Sequence, residues 1–214
     1  DVVIVGFNED TGRVLREPMT LWHPYLGKFL EATVGAGAAA VGLDVVLPDR
    51  SYESLVPGYD KKLLTGMLAA RRAMPLVLAL TVDPSGETRA IYPAFVAAAG
   101  EDATGYALLR VDSDGIARRF TEKLGEGGGI VPTFAGQLAR RLGHEAGDGL
   151  IDFAAGAAFD FITLQDVLEW HAAGDTGKLQ RAFSGKVILL GGVFKFEDQL
   201  AVPVNLAAWD PQAA

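Results

Sequence analysis

The sequence predicts an α/β fold: a mainly parallel sheet with helices on both faces, three layers in all, and a β-hairpin inserted around residues 106–120. Three observations carry this. Short, almost continuous apolar runs stand at residues 1–7, 39–46, 76–82 and 186–190, the pattern of strands buried on both faces. Segments with helical spacing alternate with them. Half of the 214 residues are hydrophobic, and no repeat or low-complexity linker divides the chain. One domain over residues 1–214 is therefore expected, with a loosely packed tail at 205–214.

Each element has its own warrant. Residues 1–7 form the first apolar run. In residues 21–34, Leu21, Tyr25 and Phe29 make one row and Trp22, Leu26 and Leu30 another, with Lys28 and Glu31 between. Gly35 and Gly37 stop that helix, and residues 39–46 form the second strand, ended by Pro48. Residues 60–72 are helical, with Leu63, Leu64, Met67 and Leu68 facing inward; Pro75 closes the helix before the third strand. Asp112-Ser113-Asp114-Gly115 between two apolar arms is a hairpin turn, since glycine supplies the positive φ. Residues 133–142 form a helix with Pro132 near its start. Residues 150–153 are a short strand. Thr163 and Asp166 bracket a capping box that opens a helix through His171. Residues 186–190 are the last buried strand.

Composition excludes several functions. There are 27 acidic against 19 basic residues, a net charge of −8, so nucleic acid and anionic lipid are poor partners. Zero cysteine removes disulfides, thiolate metal sites and cysteine nucleophiles. No apolar stretch approaches the roughly 18 residues of a membrane span, and the opening residues carry no basic leader region, so the chain reads as a soluble piece of a larger or processed protein.

Catalytic motifs fail one by one. Gly35, Gly37 and Gly42 have the wrong spacing for a dinucleotide loop and lead from helix into strand rather than the reverse. Gly177-Lys178 and Gly185-Lys186 lack the rest of a phosphate-binding loop. His23, His144 and His171 have no metal-ligand spacing, and His23, between Trp22 and Pro24 at a helix start, reads as a packing or capping residue. There is no nucleophile elbow. No cofactor or resident metal is expected. Acidic and amide groups just beyond the apolar strands remain: Asn8 and Glu9 after the first, Asp44 at the end of the second, Glu197 and Asp198 after the last. Parallel sheets gather ligands at their carboxyl ends. Asn8, Glu9, Asp44 and Asp198 are therefore the candidate ligand-binding residues, suited to a cation, an amine or a polyol, against the competing role of helix caps and solvated charges. The alternative function is a metal-dependent hydrolase holding Mg²⁺ or Ca²⁺ through Glu9, Asp44 and Glu197 or Asp198.

The ordered set of short motifs resembles a known family. It comprises Asp-Val-Val-Ile-Val-Gly at 1–6, Trp-His-Pro-Tyr-Leu-Gly-Lys-Phe-Leu at 22–30 and Gly-Ala-Ala-Ala-Val-Gly-Leu-Asp-Val-Val at 37–46. There follow Asp-Ser-Asp-Gly-Ile-Ala-Arg-Arg at 112–119, Val-Pro-Thr-Phe-Ala at 131–135, Gly-Lys-Val-Ile-Leu-Leu-Gly at 185–191, and Glu-Asp-Gln at 197–199 with Pro203. Together these resemble the second type of CHASE domain, a sensory extracellular domain associated with cyclases and histidine kinases. The resemblance implies a non-catalytic extracytoplasmic input domain, tethered to the membrane through flanking segments and joined to a cytoplasmic cyclase or kinase. It implies a small-molecule or protein signal and no catalytic residue. In this chain Asn8 stands where the family commonly has an acidic residue. Receptors of this kind commonly act as homodimers, although no heptad seam is present here.

Overall fold

The computed structural model describes residues 1–125, 130–153, 161–194 and 200–203. Strand β1 (Val2–Phe7) leads into α1 (Glu9–Leu15), a 3₁₀ turn at Met19–Leu21 and α2 (His23–Ala36). Next come β2 (Ala40–Asp44), α3 (Tyr59–Ala73), β3 (Leu76–Leu80), α4 (Pro93–Ala99) and β4 (Thr104–Tyr106). The middle of the chain holds the short strands β5 (Arg119–Phe120), β6 (Lys123–Leu124) and β7 (Val131–Pro132), then α5 (Phe134–Arg141) and β8 (Gly149–Leu150). The last part is β9 (Phe161–Thr163), α6 (Leu164–Ala172), α7 (Thr176–Phe183) and β10 (Val187–Gly192).

Six strands form one wholly parallel sheet in the order β4-β3-β2-β10-β1-β9. The four apolar runs seen in the sequence are its four inner strands, side by side. The order also decides which face each helix covers. From β1 to β2, β3 and β4, and again from β9 to β10, the chain steps across the sheet in the same direction. Right-handed crossovers then put all the intervening helices on one face. Only the return from β4 to β9 runs the other way, and it carries α5 alone onto the opposite face.

The burial pattern follows this division. Val5, Phe7, Leu43, Leu78, Ile188 and Leu190 point into the main core, against Leu26, Phe29, Leu63, Phe95, Leu164 and Phe183. Ala40, Val77 and Ala79 point the other way, against Phe134 and Leu138 of α5. Gly42 makes that second contact feasible: a Cβ there would lie 2.6 Å from Cζ of Phe134. Helices thus lie on both faces, as expected, but very unequally.

Several local expectations are refined. In α3 the inner row is Leu63, Met67 and Ala70, while Leu68 is 42% exposed. The turn at residues 112–115 forms, with Gly115 at φ 82° and a bridge between Val111 and Ala117. Its arms pair elsewhere: Tyr106 belongs to β4 of the main sheet, Ile116 bridges Ala201, and β5 pairs with β8. The carboxylates of Asp112 and Asp114 both accept from Arg118, a clamp that closes the turn without a long ladder. Residues 205–214 lie outside the described residues.

Candidate functional site

All six parallel strands deliver their carboxyl ends to one edge, where two adjoining crevices open. The first has a volume of about 720 Å³ and lies between the loop after β2, the loop after β3 and the turn before α2. The second, about 630 Å³, runs across the ends of β1, β2, β3 and β10, and is walled by Phe7, Asp44, Leu80, Leu108 and Phe194. Met19, Val45 and Val46 border both. Of these, Met19 is 41% and Val46 51% exposed, so the ridge between the crevices is apolar and open to solvent.

The loops that frame the first crevice are fastened. Ser51 Oγ donates to Asp60 at 2.5 Å and Tyr52 N donates to the same carboxylate at 3.2 Å. Glu53 accepts from the backbone of Gly58 and Asp60, capping the start of α3. On the other side, Asp83 accepts from Ser85 N and Oγ and from Glu87 N, and Ser85 foremost holds its carboxyl below the usual range. Arg89 N donates to Thr81 O at 2.9 Å, and Thr88 shares a hydrogen bond with the Tyr106 hydroxyl. Tyr92 N donates to Pro48 O at 2.7 Å, joining the two loops.

His23 forms part of the inner wall of this crevice and is 2% exposed. Tyr52 stacks on its ring at 5.7 Å and 9°, while Phe95 and Tyr59 meet it edge-on. Its Nδ1 lies 3.3 Å from Oδ1 of Asp60 but lacks hydrogen-bond alignment, and Nε2 has no partner among the described residues. Burial pushes the imidazole pKa down, and the neighbouring Asp60 opposes this only in part. The ring is therefore neutral at neutral pH. Its proton belongs on Nδ1, facing the carboxylate, which leaves Nε2 an acceptor. At the mouth, Asp49 and Arg50 form a two-pronged pair at 2.9 and 3.1 Å. Arg89 is exposed and makes no ion pair within 4 Å among the described residues, while its charge acts on the nearby Asp49 carboxylate.

The residues singled out in the sequence are spread along this edge rather than gathered. Asn8 is the N-cap of α1: its side chain accepts from Asp10 N and Thr11 N, and Thr11 returns the bond, completing a capping box. Glu9 is exposed on the first turn of that helix. Asp44 ends β2 and borders the second crevice. β10 lies between β1 and β2, so the backbones of Asn8 and Asp44 stand two strand spacings apart, about 10 Å. Glu197 and Asp198 lie outside the described residues. Among the described residues no three His, Asp or Glu side chains group as a metal-holding cluster. His23, Arg50 and Arg89 line the larger crevice instead. The sequence signal for His23 was its place at a helix start between Trp22 and Pro24, which also fits plain packing; nothing in the pattern marked Arg89.

A doubly framed crevice at the carboxyl edge of a parallel sheet is the usual place for a ligand in an α/β protein, and the framing here comes from loops tied to the sheet and helices. The chain belongs to the CHASE2 domain family, whose model matches residues 1–212. This is a family of extracellular sensory domains. No curated protein and no solved structure matches the chain.

Proposed function

We propose that the protein is the non-catalytic extracytoplasmic input domain of a transmembrane receptor, one domain over residues 1–214. It perceives a small-molecule signal in the carboxyl-edge crevice and controls a cytoplasmic cyclase or kinase as a membrane-tethered homodimer. The observation that carries this reading is the 720 Å³ crevice itself, a volume suited to a small ligand and walled by a buried histidine. Family membership supplies the sensory context. Asp44 contributes polar character to the adjoining crevice, and Asn8 and Glu9 act at the same edge through the helix they open.

The test fills the space. Thr20 and Ala90 are exposed residues of the crevice lining. Thr20→Trp or Ala90→Trp in the full-length receptor is expected to lock its output at one level, with the domain's unfolding midpoint unchanged. Output that still varies normally in both variants overturns the reading.

A further inference from the structure

The first crevice presents its chemistry in order. Its mouth carries the exposed Arg89, which makes no ion pair within 4 Å among the described residues but shares the mouth with Asp49, on whose carboxylate its charge acts, and with Asp83. The neighbouring Arg50 is already matched by Asp49. Below the mouth the wall is aliphatic, with Leu26, Val45 and Leu47 all buried. The inner wall holds His23, whose Nε2 has no hydrogen-bond partner among the described residues and, with the ring proton on Nδ1 toward Asp60, is free to accept. A buried acceptor without a partner forgoes the hydrogen bond it makes in water, so a ligand that supplies a donor there restores it.

Resting on the sensory reading above, we propose that this crevice takes a small monocarboxylic acid with an aliphatic body and a hydroxyl at the end remote from the carboxylate. The carboxylate pairs with Arg89, where a guanidinium gives two parallel hydrogen bonds. The methylene body lies against Leu26, Val45 and Leu47. The hydroxyl donates to Nε2 of His23.

The experiment measures direct binding to the purified domain by calorimetry. The probes are 4-hydroxybutanoate, 6-hydroxyhexanoate and 8-hydroxyoctanoate, each set against the parent acid without the hydroxyl and the diol without the carboxylate. At least one hydroxy acid is expected to bind saturably, and its two truncated partners about tenfold more weakly. Arg89→Gln, at an exposed position, is expected to weaken the hydroxy acid about tenfold and leave the diol unaffected. The ¹⁵N resonance of His23 Nε2 is expected to move with the hydroxy acid and not with the parent acid. His23 is buried, so this readout in the unaltered protein replaces a variant that could fail to fold. The proposal is overturned if no hydroxy acid binds, if the parent acid binds equally well, or if Arg89→Gln has no effect. Failure here with Ala90→Trp still locking receptor output removes the ligand class and keeps the sensory site. Binding as expected with output indifferent to Ala90→Trp keeps the chemistry and removes the sensory role.

Discussion

Burying an imidazole without hydrogen-bond partners makes the stability of the fold depend on pH in a particular window. His23 has its folded pKa below the ordinary 6.5, chiefly through burial. Above that ordinary value both folded and unfolded chains hold it neutral. As pH falls from about 6.5 toward the depressed folded value, only the unfolded chain takes up the proton, so stability is lost with acid. The carboxylates held low by their donors, Asp83 and Asp49 among them, act only at lower pH. Urea midpoints measured between pH 8 and pH 5 are therefore expected to fall on the acid side, with a shallower fall in His23→Gln. The same residue shows what the sequence could not convey. Its position at a helix start was readable, but its neighbours Asp60, Tyr52 and Phe95 come from three other segments, and their convergence exists only in the folded chain.

Asn8 belongs to two scales, since its chemistry is local and its effect is on a helix. The capping box it forms with Thr11 opens α1, an element that sequence periodicity alone did not reveal because α1 is only seven residues long. Asn8→Ala is expected to cost about 1 kcal/mol in chemical denaturation, and Asn8→Asp, which keeps an acceptor at the cap, a small fraction of that. The longer elements were legible for a physical reason: α2 and α3 each have enough turns to display a full apolar stripe. What the stripe did not predict is how closely these two helices approach. A Cβ on Gly66 would lie 2.7 Å from Gly27 O, and one on Gly27 would lie 2.6 Å from Lys62 O. Backbone atoms cannot rotate aside as a side chain can, so Gly66→Ala is expected to destabilise by about 1–3 kcal/mol, checked by thermal or urea unfolding. The inner row expected from spacing included Leu68; with Leu63, Gly66, Met67 and Ala70 facing inward, Leu68 lies about 100° round the helix from Met67 and is 42% exposed.

For the molecule as a whole, the parallel class followed from four apolar runs too continuous for a sheet wetted on one side. The weak strands, β4 and β9, occupy the edges, where three residues suffice and little pattern is left to read. Strand order was beyond sequence reasoning because it depends on which long-range pairs close, and that order is what separates Asn8 from Asp44. It also accounts for the unequal faces, since the handedness of crossovers translates the direction of each step into a side of the sheet.

Placing β10 beside β1 has a mechanical consequence. The chain enters β1 at its amino end and leaves β10 at its carboxyl end, and the two strands run parallel in register from Val2 with Val187 to Phe7 with Gly192. Tension between Asp1 and Val193 therefore drags the two strands past each other lengthwise, loading every rung between them together. An antiparallel hairpin pulled from its open end would yield one rung at a time. In single-molecule pulling from those two points the sheet is expected to hold to a sharp, high rupture force. When pulled instead between Asp1 and Val187, at the same end of both strands, the rungs load one at a time and the sheet is expected to give way gradually and at lower load. The first and last strands thus act as a splice within the sheet, and the second crevice opens across their carboxyl ends.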